Sequence, residues 1–210
     1  MNEAAIFECC RKVWQSEADS LACLIKMMDP DGLAAVVKLL ANCKANKSRI
    51  LTTGVGTSGA AAKKIAHTLS CIEIPAFFLS PADGVHGALG ALQPGDTLIA
   101  ISKGGGTEEI IKILPAIKSK GAKLIGVTEN ESSKLAQASD LLLKVRVEKE
   151  PDPFNMLATA STLAVIAVFD AIAVVLMEYT GYTKEQFLVI HPGGAVGQRL
   201  LHQKGGINTK

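Results

Sequence analysis

The chain has 210 residues, 48% of them hydrophobic, and its 22 basic and 20 acidic residues leave a net charge of +2. That length and apolar share fit one core-bearing domain with extensions, while the balanced charge and the 4% aromatic content argue against a nucleic-acid surface. The five cysteines, Cys9, Cys10, Cys23, Cys43 and Cys71, form no C-x-x-C pair and read as reduced thiols rather than a zinc site.

The first residues mix charges of both signs with apolar positions and lack the blocks of a signal peptide, so a cytoplasmic protein is expected. Apolar spacing predicts a helix over 3–28, and Asp31 is the expected cap of a second helix over 33–43. From residue 50 the pattern alternates. Strands are predicted over 50–53, 76–79, 97–101, 123–127 and 141–147, with helices over 60–71, 108–119 and 132–138. A short helical turn opening at 80–83 carries His86. The expected fold is α/β: a three-layer, doubly wound, five-stranded parallel sheet in the order 2-1-3-4-5 with extra N-terminal helices. The expected division is N-terminal helices over 1–46, the domain over 47–202 and a loose tail over 203–210.

An apolar helix over 154–179 follows the last strand. Its run 163–177 is short for a membrane span and carries Asp170, so a core or subunit-interface helix, and no membrane partner, is expected. After a polar turn over 180–185 and a sharp turn at His191, a short helix is expected to run to about Leu201.

Two glycine-rich loops, Gly54-Val55-Gly56-Thr57-Ser58-Gly59 and Ser102-Lys103-Gly104-Gly105-Gly106-Thr107, follow the first and third strands. In a 2-1-3-4-5 sheet those strands are neighbours at the switch point, where ligands bind beyond the carboxyl ends. Each loop leads into a helix N-terminus, whose free amides and dipole favour an anion. The first loop matches the dinucleotide fingerprint by letter, but no acidic residue ends the second strand to hold a ribose, and Thr57 and Ser58 add hydroxyls. No phosphate-loop G-x-x-x-x-G-K-[ST] run is present either. The ligand expected from the residues alone is a phosphate compound, without a nucleotide cofactor.

GVGTSG and SKGGGT after alternate strands resemble the paired phosphate loops of the sugar isomerase (SIS) domain. SPADGVHGALGAL at 80–92, TLIAISKGGGTEEI at 97–110, PDPFNMLATASTLA at 151–164, DAIAVVL at 170–176 and HPGGAVGQRLL at 191–201 narrow the resemblance to the arabinose-5-phosphate isomerases of the KpsF/GutQ group. It implies a metal-independent, cofactor-free interconversion of D-arabinose 5-phosphate and D-ribulose 5-phosphate through a cis-enediol. Gly56, Thr57, Ser58, Ser102, Lys103, Gly104 and Thr107 are the implied phosphate contacts, and Glu109, Glu150, His86 and His191 the implied catalytic positions. Glu150 would shuttle the proton and His191 would assist ring opening. It also implies a homotetramer with active sites at subunit interfaces, and a chain without the paired CBS domains of larger relatives.

Read singly, each catalytic candidate has a plainer use: Glu109 as a first-turn acid, Glu150 as a solvated loop charge, His86 as a core histidine and His191 as a turn former. The chain also departs from the group. Many members carry lysine where Thr57 stands, and their second loop usually reads S-N-S-G-E-S, so a hydroxyl is lost at Gly104 and a cation gained at Lys103. Lys103 is expected to replace the missing lysine from the opposite loop. The alternatives are isomerisation of another pentose or hexose phosphate, or a phosphosugar sensor without turnover.

Overall fold

Aliphatic and β-branched residues, with two phenylalanines in the second, fill five short segments, and three of the resulting strands are buried along nearly their whole length. In the computed structural model, which describes residues 1–192, the strands are β1 (Ile50–Gly54), β2 (Ala76–Phe78), β3 (Thr97–Ile101), β4 (Lys123–Thr128) and β5 (Leu141–Lys144). All pair in parallel in the order β2-β1-β3-β4-β5, as expected. The helices are α1 (Glu3–Met27), α2 (Pro30–Ala45), α3 (Gly56–Ser70), α4 (Pro81–Gly84), α5 (Glu108–Ser119), α6 (Lys134–Ala138), α7 (Ala160–Tyr179) and α8 (Lys184–Ile190), with a 3₁₀ turn at Ala88–Ala91.

The period of two along a strand sends side chains to opposite faces. Ile99 and Ile101 therefore join one core with α2, α3 and α7, while Leu98 and Ala100 join another with α5. The helices after β1 and β3 thus lie on opposite faces, and the switch point falls between those strands. Two buried threonines tie β1 to its neighbours: Thr52 Oγ1 donates to Ala62 O at 2.8 Å, and Thr53 Oγ1 to Leu79 O at 2.7 Å. The end of β1 presses on the start of α3. A Cβ on Gly54 would lie 2.7 Å from Ser58 O, and one on Gly59 would lie 2.7 Å from Gly54 O. Two glycines of the first loop are thus required by strand–helix packing.

Several boundaries differ from expectation. α3 begins at Gly56, so Thr57 and Ser58 stand in its first turn rather than in a loop before it. α2 is capped by Asp29, whose carboxylate accepts from the Asp31 and Gly32 amides, and not by Asp31. β5 stops at Lys144, short of the expected 147. α7 begins at Ala160 rather than near 154, because the Asp152 carboxylate captures the amides of Phe154, Met156 and Leu157 in a turn with Asn155 at φ 56°. The expected helix to Leu201 and the tail 203–210 lie outside the described residues.

α7 is long and apolar enough to cross a membrane by length and composition. One face nevertheless fills the core with Ala164, Val168, Phe169, Ile172 and Leu176, and Asp170 pairs with Lys64 of α3. It is a packing helix, in line with expectation. α1 buries no residue fully and lies against α7 through partly buried Leu21 and Leu24.

Candidate active site

Helix caps locate the site. Five of the eight described α-helices donate an amide hydrogen bond to their N-cap side chain: Asn2 for α1, Asp29 for α2, Ser80 for α4, Ser133 for α6 and Thr183 for α8. The three without one are α3, α5 and α7. Residues at the start of α3 and α7 line a single cleft of about 110 Å³ at the carboxyl ends of the strands, with Thr57, Ser58, Lys103, Thr128, Ser161 and Thr162 in its wall. α5 starts just past the loop that sends Lys103 into it. Uncapped helix starts leave amide donors without partners, which is the arrangement that takes up an anion.

Thr107 shows the effect directly. It occupies the N-cap of α5, a position where threonine normally satisfies an amide. Here its hydroxyl instead shares a 2.8 Å hydrogen bond with Ser102, leaving the α5 amides to another acceptor. The glycines between them let the loop fold tightly: Gly105 has φ +66°, and a Cβ there would sit 2.0 Å from Ser133 Oγ.

At α7 the acceptor is already present. Glu150 is 2% exposed, and its Oε2 accepts from the Thr159 amide at 3.1 Å and the Ser161 amide at 3.3 Å. The carboxylate replaces the missing N-cap. The Thr159 hydroxyl, freed from capping, is buried with no hydrogen-bond partner among the described residues. Glu150 Oε1 accepts from Lys103 Nζ at 2.8 Å. Burial pushes the Glu150 carboxyl up, but the bonds from Lys103, Ser161 and Thr159 outweigh it and hold the pKa below the ordinary 4.5. Glu150 is therefore no solvated loop charge. Its own amide donates to Asn155 Oδ1 at 2.6 Å within the Asp152 turn. The spacing of Asp152 and Asn155 in PDPFNM signals such a turn. Nothing in the sequence marks Thr159 and Ser161 as the carboxylate's donors.

The protomer brings together Thr57, Ser58, Lys103 and Glu150, and it joins Ser102 to Thr107. Glu109, His86 and His191 do not line that cleft. Glu109 lies exposed in the first turn of α5, and His86 is exposed just past α4, so the core-histidine reading of His86 is corrected. His191 follows α8. Its Nδ1 lies 3.0 Å from Phe187 O, and its ring stacks on Phe187 at 3.8 Å. α8 and the turn before it are tied to the far end of α3, through Tyr182 to Cys71 O and Gln186 to Glu73. Among the described residues no three of His, Cys, Asp and Glu converge to hold a metal ion.

A sequence profile of the SIS domain matches residues 45–185. The chain belongs to the SIS-domain family. The arabinose 5-phosphate isomerase KdsD of Pseudomonas aeruginosa is 40% identical over 185 residues, 88% of this chain and 56% of that relative. The chain thus spans little more than half the length of that protein. A crystal structure from Listeria monocytogenes shares 53% identity and superposes with a TM-score of 0.89 over 92% of this chain and 100% of its own. An Escherichia coli CFT073 protein solved in complex with A5P shares 32% identity, with a TM-score of 0.86 over 91% of this chain and 100% of that one.

Proposed function

We propose that this chain is an aldose–ketose phosphosugar isomerase that interconverts D-arabinose 5-phosphate and D-ribulose 5-phosphate through a cis-enediol(ate). The observation that carries the reading is the buried Glu150 carboxylate, anchored by one oxygen on the α7 amides and by the other on Lys103, whose side chain lines the cleft at the start of α3. Such a carboxylate suits a proton carrier between adjacent carbons, which a plain binding pocket does not need. The named activity of the relative KdsD and the A5P bound by the E. coli neighbour support the sugar and its phosphate.

In this reading the amides at Gly56, Gly104 and the start of α5, with the hydroxyls of Thr57, Ser58, Ser102 and Thr107, hold the phosphate. Glu150 takes the proton from C2 of the aldose and returns it to C1. His191 assists ring opening, and His86 and Glu109 complete a site that lies at a subunit interface of a cytoplasmic homotetramer. The reaction is expected to run unchanged in EDTA.

Proton NMR of the purified protein with arabinose 5-phosphate in D₂O, beside other pentose and hexose phosphates, tests the reading. Ketose formation with deuterium at the transferred carbon supports it, and formation from a different sugar only would move the assignment to that sugar. Binding without turnover of any sugar would overturn it in favour of a phosphosugar sensor.

A further inference from the structure

Lys103 is the residue whose place the phosphate-binding expectation does not explain. Its backbone is fixed from below: Lys103 O accepts from Thr128 Oγ1 at 2.7 Å and from the Glu129 amide at 3.0 Å. From that anchor the side chain crosses the cleft mouth, and its ammonium rests on Glu150 Oε1 rather than on either helix start. The Lys103 side chain is 40% exposed, while that of Glu150 is fully enclosed. The two oxygens of Glu150 thus differ in kind. Oε2 is held by rigid backbone amides, and Oε1 is held only by a cation on a flexible stem.

We infer that Lys103 is a catalytic residue that stabilises the enediolate, passing from Glu150 to the substrate oxygen as the proton is transferred. This rests on the isomerase reading above. The step balances as follows. Glu150 Oε1 takes the C2 proton, the C2–H electron pair becomes the C1=C2 bond, and the carbonyl π pair moves onto O1. At that moment Glu150 becomes neutral and loses its hold on the ammonium, while a full negative charge appears on O1 within the same cleft. The ammonium follows the charge, and net charge in the site is unchanged. A proton then passes from O2–H to O1, the O2 electrons form the C2 carbonyl, the C1=C2 pair takes the proton back from Glu150 at C1, and the carboxylate recovers its partner. A cation already placed beside the base meets the developing charge without being recruited from bulk solvent.

The test uses the full chain and the variants Lys103→Gln, Lys103→Arg and Thr57→Lys/Lys103→Gln. Glutamine keeps a hydrogen bond to Glu150 and removes the charge, so folding is preserved and checked by circular dichroism. The expected result for Lys103→Gln is a fall in kcat of about a hundredfold. KM for arabinose 5-phosphate and the inhibition constant of inorganic phosphate are expected to stay within about threefold, because the phosphate grip is untouched. Affinity for a phosphorylated aldonohydroxamate, a planar mimic of the enediolate, should fall with kcat. Arginine should restore part of the rate, and so should lysine at 57, which opens on the same cleft. Wild-type turnover with kcat unchanged in Lys103→Gln would overturn this inference alone, as would a loss confined to phosphate affinity. A wild-type protein that isomerises no phosphosugar would overturn the isomerase reading and this inference together.

Discussion

Glu150 and Lys103 set the pH behaviour of the site. Glu150 titrates below 4.5 in the folded chain, so the stability it contributes is present above the unfolded value and lost as pH falls through the folded one. Removing the ammonium with Lys103→Met leaves a buried carboxylate on two amides. Discounted for the exposed side of Lys103, the expected cost at pH 7 is about 1–3 kcal/mol. That cost should shrink as pH falls and the variant's carboxylate, no longer held down by Lys103, takes up its proton before the wild type's does, while Lys12, Lys149 and Asp152, which line the neighbouring cleft, are common to both proteins. Urea unfolding of wild type and variant at pH 7 and pH 3.5 checks this, and an unchanged difference would refute it. Thr159 gives a second prediction. Its buried, unpartnered hydroxyl costs free energy, so Thr159→Val should raise stability by about 1 kcal/mol in the same assay. Residue types alone do not single out Glu150. Asp96 also has a lowered pKa, because bonds from Arg49 and Gln93 outweigh its burial, but it sits at the amino ends of the strands and pins a turn. Only the sheet topology separates the two, which is why Glu150 reads equally well as a loop charge before the fold is known.

The elements that were legible are those where a local signal and the tertiary demand agree. β3 and α5 fall at 97–101 and 108–119 as the alternation predicts, because a turn proline, a buried β-branched run and an acidic first turn all point the same way. The pattern places the start of α3 at 60 because glycine is a poor helix former, yet Gly56, at φ +58°, and Gly59, whose Cβ would meet Gly54 O, both lie in its first turn. The pattern predicts helix from 154 because apolar Phe154, Met156 and Leu157 hide the capture of their amides by Asp152. The second loop carries the prediction at this scale. Gly105 combines a positive φ with a Cβ position overlapping Ser133, the cap of α6, whereas Gly106 has open space around it. Gly105→Ala should destabilise by at least about 2 kcal/mol and weaken phosphate binding. Gly106→Ala should stay within about 0.5 kcal/mol of wild type. Equal effects in thermal unfolding would mean that the loop geometry is not what holds Ser102 and Thr107 together.

At the scale of the molecule, the protomer leaves two facts that one assumption joins. Large apolar side chains stand exposed, among them Trp14, Ile25, Phe154, Met156, Leu157 and Val174, and a subunit contact would cover them. His191 stands after α8, which is tied to the far end of α3, a helix about 22 Å long at 1.5 Å per residue, while Thr57 and Ser58 open that helix beside Glu150. If copies of the chain assemble through the apolar surface, a neighbour's His191 can serve a Glu150 that its own cannot. Light scattering at micromolar concentration should then give the mass of a tetramer. Subunit mixing is the sharper measurement. Glu150→Gln and His191→Ala should each be inactive alone. Unfolded together in equal amounts and refolded, they form sites from two chains, and about one site in four then combines an intact Glu150 with an intact His191. Recovery of roughly a quarter of wild-type turnover would assign the two residues to different subunits of one site. No recovery, from refolded mixtures shown to be assembled, would mean that each protomer must supply both residues itself, and that His191 reaches Glu150 by a rearrangement within its own chain.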